Sequence, residues 1–280
     1  MSTTWAGALK AATERLDAAG IEGGERDARR LLAHVLALPA SHLTFHLREA
    51  TTPALLEAFN NAVERRAEHR PISHITGRRL FFDLEFQISD QVLDPRPETE
   101  ILVAAALDAS LERVLDLGTG SGNILLSLLA AAPGATGIGV DQSASALKVA
   151  RANATAFGLN KRVELFQSDW FSAVSGRFDL IVSNPPYISA REYSDLAEDV
   201  RLYEPKEALT PGGDGLDAYR RIAKDVSAYL TPQGRLMLEI GPTQAAAVSG
   251  IFTEQGLIYL DCLADLDGRD RVMIFKNGTI

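Results

Sequence analysis

Cysteine is nearly absent from this chain: Cys262 is the only one in 280 residues. A lone thiol excludes an internal disulfide and fits a reducing compartment, so a cytoplasmic location is expected. Cys262 lies in an apolar C-terminal stretch and reads as a small core residue of a strand rather than a nucleophile. No apolar run approaches the roughly 20 residues that a membrane-crossing helix needs. The start, Met1-Ser2-Thr3-Thr4-Trp5, has neither the basic cluster nor the apolar core of a secretory signal. No membrane partner is expected. Metal-ligand spacing is missing too. The five histidines, His34, His42, His46, His69 and His74, fall in the N-terminal third without the Cys/His pattern typical of zinc, and read as structural or surface residues. Positive charge is in deficit, with a formal net charge of −9. Nucleic-acid binders draw most of their affinity from basic surface, so no direct nucleic-acid partner is expected. Arg65, Arg66, Arg70, Arg78 and Arg79 do cluster locally. Two readings stay open for them, a basic patch or a solvated helix face, and no periodic aromatics accompany them. Internal repeats and low-complexity tracts are absent.

What is present is enough apolar content, 46%, to bury a substantial core in a chain longer than one usual compact domain. The organisation splits near residue 75. Residues 5–19 have apolar positions at helical spacing and stop at Gly20, a C-cap signal. A second helix is expected from Glu25 to Leu38, ended by Pro39. A third starts with Thr52 as N-cap and Pro53 in the first helical position and runs to about Arg70. Residues 1–75 therefore read as a small N-terminal helical bundle. Residues 76–96 read as a linker, with Phe81 to Ile88 alternating as a hairpin strand. From residue 97 to 280 strand and helix patterns alternate, which predicts an α/β domain with a mostly parallel sheet.

Within that domain, Val114-Leu115-Asp116-Leu117 runs into Gly118-Thr119-Gly120-Ser121-Gly122 and then the apolar helix signal Asn123 to Leu129. A buried strand, a glycine turn and a helix open a βαβ unit, and the glycines let backbone approach a ligand closely. Asn123 stands where the dinucleotide fingerprint wants its third glycine, and no Gly-Lys-Ser/Thr follows, so neither a pyrophosphate nor a nucleoside triphosphate is indicated. About twenty residues on, Asp141 ends a strand, where a carboxylate accepts both ribose hydroxyls in related folds. A further strand runs into Ser168-Asp169-Trp170-Phe171. Asp169 is positioned there to take an adenine amino group and Trp170 to cover the ring; ordinary core filling by Trp170 and Phe171 is the competing reading. A nucleoside site without a phosphate site describes S-adenosylmethionine.

The strand Phe178 to Val182 leads into Asn184-Pro185-Pro186-Tyr187. The two prolines lack N–H groups, so the backbone there displays mainly carbonyl acceptors at fixed φ. The Asn184 side chain adds another acceptor and Tyr187 an aromatic face. Such a tetrapeptide suits a planar amino group with two donors in one plane.

From Asp116 through Asp141 and Ser168-Asp169-Trp170-Phe171 to Asn184-Pro-Pro-Tyr187, the chain resembles the N5-glutamine methyltransferases that modify peptide chain release factors (the HemK/PrmC type). Gly77 to Phe82, Leu93 to Glu100, Tyr203 to Leu209, Gly212 to Arg220, Leu238-Glu239-Ile240-Gly241 and Asp265 to Arg271 also fit. Asp94 departs from the pattern, standing where an apolar residue is expected before Pro95. The resemblance covers nearly the whole chain. It implies a Rossmann-like class I S-adenosylmethionine methyltransferase with an antiparallel last strand near Arg271 to Lys276. It implies class I peptide chain release factors as protein substrate, methylated on the glutamine of a Gly-Gly-Gln loop, with the helical domain as the docking part. The expected cofactor site comprises Asp116, Gly118, Thr119, Gly120, Ser121, Gly122, Asp141, Asp169, Trp170 and Asn184. Asn184, Pro185, Pro186 and Tyr187 are expected to hold the substrate, with Asn184, Pro185 and Tyr187 catalytic. Arg96, Glu98 and Glu100 carry two readings, the cofactor's amino-acid end or the start of the helix at Pro97. The rival activity is adenine-N6 methylation of DNA or RNA, since the same tetrapeptide fits a flipped-out adenine.

Overall fold

The alternation read in the sequence becomes two compact units in the computed structural model, which describes residues 4–278. One unit takes in the described chain up to Gly77 together with Ala197–Tyr203; the other comprises Arg78–Leu196 and the described chain from Glu204 onward.

The first unit is helical: α1 (Trp5–Ala18), α2 (Gly24–Val35), α3 (Leu43–His46), α4 (Pro53–Ala67) and α5 (Ile72–Thr76). Leu16, Leu31, Leu32, Leu43 and Phe59 are fully buried and form its core, with Trp5 packed edge-on to Phe59. Helix α1 stops as expected, with Gly20 at φ 76°. The next two expected boundaries shift. α2 ends at Val35, short of Leu38, because Ala37 turns left-handed at φ 52° ahead of Pro39. α4 ends at Ala67, short of Arg70, with His69 at φ 65° ahead of Pro71. Residues before proline avoid the helical region, so the chain leaves the helix early. Pro53 opens α4, while the Thr52 side chain makes no capping bond. Asp27, 3% exposed, is held by the Arg66 Nε at 2.9 Å, and Arg66 also donates to the Arg70 carbonyl.

The second unit begins with a hairpin whose turn falls inside the stretch from Phe81 to Ile88 that the alternation reads as strand. β1 (Arg78–Phe81) and β2 (Leu84–Gln87) pair antiparallel across a two-residue turn. Phe82 and Asp83 occupy it at φ 45° and 63°, a turn normally signalled by Asn-Gly, so the apolar alternation alone reads straight through. The Phe82 N–H donates to Glu100 Oε1, which fastens the turn to the start of α6 (Glu100–Leu107).

The sheet contains β3 (Arg113–Leu117), β4 (Thr136–Asp141), β5 (Val163–Gln167), β6 (Phe178–Ser183), β7 (Leu230–Glu239), β8 (Ile258–Ala264) and β9 (Asp270–Lys276). Its spatial order is β5-β4-β3-β6-β7-β9-β8, with β9 antiparallel to both neighbours. The expected antiparallel last strand is thus present. Side chains alternate across it by strand period: Val114, Leu180, Val182 and Met237 face a core shared with α6, α7 (Asn123–Ala131) and α8 (Ala144–Ala156). Leu115, Ile181, Leu236 and Leu238 face the opposite core. The short helices α9 (Ala190–Ser194), α10 (Glu198–Tyr203) and α11 (Lys206–Leu209) precede α12 (Asp217–Tyr229) and α13 (Ala245–Glu254), which cover that second face. Cys262 lies half-buried on β8. The strand order reverses between β3 and β6, and at such a switch point the carboxyl ends of the strands open a crevice. No helix among the described residues is long and apolar enough to cross a membrane.

Candidate active site

The crevice is a cavity of about 400 Å³, within the range of small-molecule sites. Its floor is the glycine turn after β3. Gly118, Gly120 and Gly122 all have positive φ, at 73°, 55° and 81°, a path closed to most side chains. The Gly118 and Thr119 N–H groups donate to the Val140 carbonyl, seating the turn on β4. Asp141 then fixes its middle: Oδ2 accepts from the Gly120 N–H at 2.9 Å and Oδ1 from the Ser143 N–H at 2.8 Å. Burial raises the Asp141 pKa above the usual carboxylate value, against these stabilising donors. Gly139 lets α7 and the turn lie close, since a Cβ there would stand 2.9 Å from Thr119 Oγ1 and 3.0 Å from Leu125.

Asp116 is fully buried beneath the turn and does not line the cavity. Its Oδ2 accepts from Thr119 Oγ1 at 2.7 Å, while Oδ1 has no partner. Burial pushes its pKa up to about 7, with the Asp141 charge acting in the same direction. An orphaned carboxylate oxygen behind a ligand cavity is electrostatically suited to a cation on the other side of the turn.

Trp170 lines the opposite wall in a left-handed conformation, φ 50°, that non-glycine residues rarely adopt. Ser168 holds it there: its hydroxyl donates to the Trp170 carbonyl at 2.7 Å and accepts from the Ala173 N–H. The same loop turns Asp169 outward. That side chain is exposed, pairs with Arg221 and is not part of the cavity wall, to which this loop contributes Ser168 and Trp170. Among the lining residues Arg96 alone is cationic. It is held by the buried Glu204, whose pKa burial raises to about 7, at 2.6 Å. With Asp141 at the wall, one cation makes a poor phosphate site. The set fits a nucleoside.

Asn184 reaches the cavity from the end of β6, as does Pro186, while Pro185 is buried behind them and Tyr187 packs into the core beyond. The Asn184 Nδ2 donates to Thr99 Oγ1 at 3.3 Å, and the Thr99 hydroxyl donates to Glu239 Oε2 at 2.6 Å. Tyr187 OH approaches the other oxygen of Glu239 at 3.4 Å, and its carbonyl accepts from Gln244 Nε2 at 2.9 Å. Glu239 is 1% exposed; burial raises its pKa to about 7, while Thr99, Arg271 and Tyr187 pull it down.

The structure therefore gathers Gly118, Thr119, Gly120, Ser121, Asp141, Trp170, Asn184 and Pro186 around one cavity. Asp116, Gly122, Pro185 and Tyr187 support it from behind. Of the three residues with two readings, Arg96 lines the cavity, Glu100 is spent on the hairpin turn and Glu98 is exposed. Residue-by-residue reading missed the roles of Thr99, Glu204 and Glu239. The available signal was a lone acid, Glu239, ending the apolar strand Leu236-Met237-Leu238.

A doubly wound sheet with one antiparallel strand, a glycine turn, a ribose-type acid and a phosphate-poor nucleoside cavity define a class I S-adenosylmethionine-dependent methyltransferase. A methyltransferase structure from Pyrococcus furiosus has the same fold, with a TM-score of 0.55 and 18% identity over 79% of this chain and all of that one. The PrmC N-terminal domain family matches residues 7–77 and the methyltransferase small domain family residues 89–216. A release factor glutamine methyltransferase of Cereibacter sphaeroides is 53% identical over 96% of both chains. One from Rhodospirillum rubrum is 44% identical, over 94% of this chain and 82% of its own. The chain belongs to the release factor glutamine methyltransferase family.

Proposed function

We propose that this protein methylates the side-chain amide nitrogen (N5) of the glutamine in the Gly-Gly-Gln motif of class I peptide chain release factors, in the cytoplasm. One observation carries the reading: Asn184 stands at the cavity wall with its Nδ2 committed to Thr99, leaving its oxygen to accept from an incoming amino group. The full-length similarity to enzymes so named supports it.

S-adenosylmethionine, when bound, supplies an electrophilic methyl group on a sulfonium. Asp141 would accept from the ribose hydroxyls, Trp170 would face the adenine, the glycine turn would form the floor, and buried Asp116 would supply the counter-charge to the amino-acid end. A glutamine nitrogen is a weak nucleophile because its lone pair is delocalised into the carbonyl. Asn184 Oδ1 and the Pro185 carbonyl, accepting both N–H bonds, orient it and favour the positive charge that develops as it attacks. The Tyr187 ring, pinned through its hydroxyl to Glu239 and its carbonyl to Gln244, fixes the amide plane. These residues would hold the nitrogen in the cavity, where the donor's methyl group would be presented to it. A strong base is not required, because the methylated amide loses its proton readily to water.

Incubation of a purified class I release factor with this protein and S-adenosylmethionine tests the proposal. Mass spectrometry of the Gly-Gly-Gln peptide is expected to show one added methyl, absent from a Gln→Ala control. Cofactor binding without that methyl, and methyl transfer instead to adenine in DNA or RNA, would replace the substrate assignment. Against adenine stand the arginines of the local cluster, which are engaged within the protein: Arg66 with Asp27, Arg65 with the His74 carbonyl, Arg70 over Tyr203, Arg78 with Glu85 and Arg79 with Asp94.

A further inference from the structure

We propose that Glu239 and Thr99 are positioning residues that set which way round the Asn184 amide stands, and so make its oxygen an acceptor toward the cavity. The inference rests on the transfer reaction proposed above and adds to it the group that orients its key acceptor.

An ionised carboxylate only accepts, so Glu239 Oε2 at 2.6 Å takes the single hydroxyl proton of Thr99. Thr99 Oγ1 is then left with lone pairs alone, and its other neighbour, 3.3 Å away, must be a donor. That neighbour is Asn184, whose Nδ2 is thereby turned inward and whose Oδ1 is turned outward. Among the described residues no donor bonds Oδ1. A chain of two bonds, each with fixed direction, carries the choice from a buried acid to the site. Thr99 and Glu239 are both 1% exposed, so water does not compete. The rest of the surroundings keep Glu239 in place: Tyr219 OH donates to its backbone carbonyl at 2.8 Å and Tyr187 OH approaches Oε1.

Protonation of Glu239 reverses the logic. A neutral acid can donate to Thr99, whose own proton is then free to point at Asn184 and favours the flipped amide. The groups that face Glu239 are Thr99, Tyr187, Tyr219 beside its carbonyl, Arg271 on β9 and Glu98; of these Arg271 favours the carboxylate and Glu98 opposes it. Burial leaves the acid titrating at about 7. Transfer is therefore expected to fall about tenfold from pH 8 to pH 6 through this group.

The test pairs two readouts. In cofactor-free protein, the side-chain ¹H–¹⁵N resonances of Asn184, assigned by their loss in Asn184→Asp, are expected to shift with pH around 7 and to stop doing so in Glu239→Gln. In turnover, Thr99→Val, which removes the hydroxyl but keeps the shape, is expected to lose tenfold or more in kcat with KM and cofactor Kd changed less than threefold. Thr99→Ser is expected to recover most of that loss, and Glu239→Gln to lack the acid limb of the kcat profile. Asn184 resonances invariant from pH 6 to 8 in the wild-type protein would overturn the inference, even if Thr99→Val failed to fold. So would a folded Thr99→Val with kcat within threefold of wild type. A wild-type protein that methylates no glutamine would sink the proposed function while leaving the resonance experiment to decide the orienting chain.

Discussion

Asp141→Asn is the substitution that most sharply probes the cavity, because it keeps size and shape while changing donor count. Each carboxylate oxygen of Asp141 accepts from a different backbone N–H, Gly120 at 2.9 Å and Ser143 at 2.8 Å. An amide has one oxygen, so one of those N–H groups must face an NH2 and lose its acceptor. Hydrogen bonds to a charged group contribute about 1.5–3 kcal/mol, and an abandoned buried donor costs as much again in desolvation. Part of this is felt as a looser glycine turn whether or not ligand is present. A ribose that donates to the same two oxygens loses one acceptor outright and meets a misplaced turn. The expected penalty on affinity is about 2–4 kcal/mol, or roughly 30- to 1,000-fold in Kd. Calorimetric titration with S-adenosylhomocysteine measures it, and a denaturation curve of the ligand-free protein separates the stability share. Affinity within threefold of wild type would refute the reasoning, since it would mean that neither oxygen of Asp141 carries the ribose or the turn.

Asn184→Ala is expected to lower kcat about 10²- to 10³-fold, by the size of losses seen when one preorganised partner of a developing charge is removed, with cofactor Kd nearly unchanged; near-native turnover would reject the Asn184 assignment. Gly139→Ala puts a Cβ 2.7 Å from Leu165 Cδ2 and 2.9 Å from Thr119 Oγ1, so urea unfolding is expected to register about 1–3 kcal/mol of overpacking, and an unchanged midpoint would deny the close approach of α7. Arg66→Ala leaves the buried Asp27 with only the longer, exposed contact to Arg26 at 3.6 Å, and a loss of about 3 kcal/mol, the low end for breaking a buried pair, is expected in the stability of that unit on chemical denaturation. Burial holds Asp116 near 7, and a cationic ligand favours its ionised form. S-adenosylmethionine affinity is accordingly expected to rise between pH 6 and 8, with proton release at pH 6.5 in calorimetry across two buffers; a flat profile would remove Asp116 from the site's electrostatics.

How far the sequence was legible depended on how local each determinant was. The turn from Gly118 to Gly122 and the strand ends at Asp141 and Asn184 are read from a few adjacent residues, because strand, glycines and helix follow one another directly. The ends of α2 and α4 were each read three residues late, because the sequence shows the proline but not the left-handed Ala37 or His69 that precedes it. The hairpin at Phe82-Asp83 uses residues with no turn signature and is fastened by Glu100, eighteen positions away. Asp169 and Trp170 show a finer limit. Both follow the same strand, and only the backbone twist at Trp170 decides which one lines the cavity. Thr99 and Glu239 lie 140 positions apart, and no local pattern couples them.

Those distant partners have a property in common with the local ones. Asp116, Glu204 and Glu239 are acids whose pKa burial lifts to about 7, and Asp141 is lifted in the same direction. Desolvated carboxylates cost stability; Arg96 offsets that cost at Glu204 and Arg271 at Glu239, which leaves Asp116 and Asp141, beside the glycine turn, to be relieved by a cationic ligand. The methyl donor of this class is such a cation, carrying charge on its sulfonium as well as on its ammonium. In the proposed reaction the sulfonium charge would be lost and positive charge would develop on the attacked nitrogen, held by Asn184 and the Pro185 carbonyl. Asp116 and Asp141 would thus favour the charged donor over the spent one, and the neutral carbonyl acceptors would receive the charge where it goes. This division of labour accounts for buried acids at and behind the glycine turn and uncharged oxygens at the proposed reacting end.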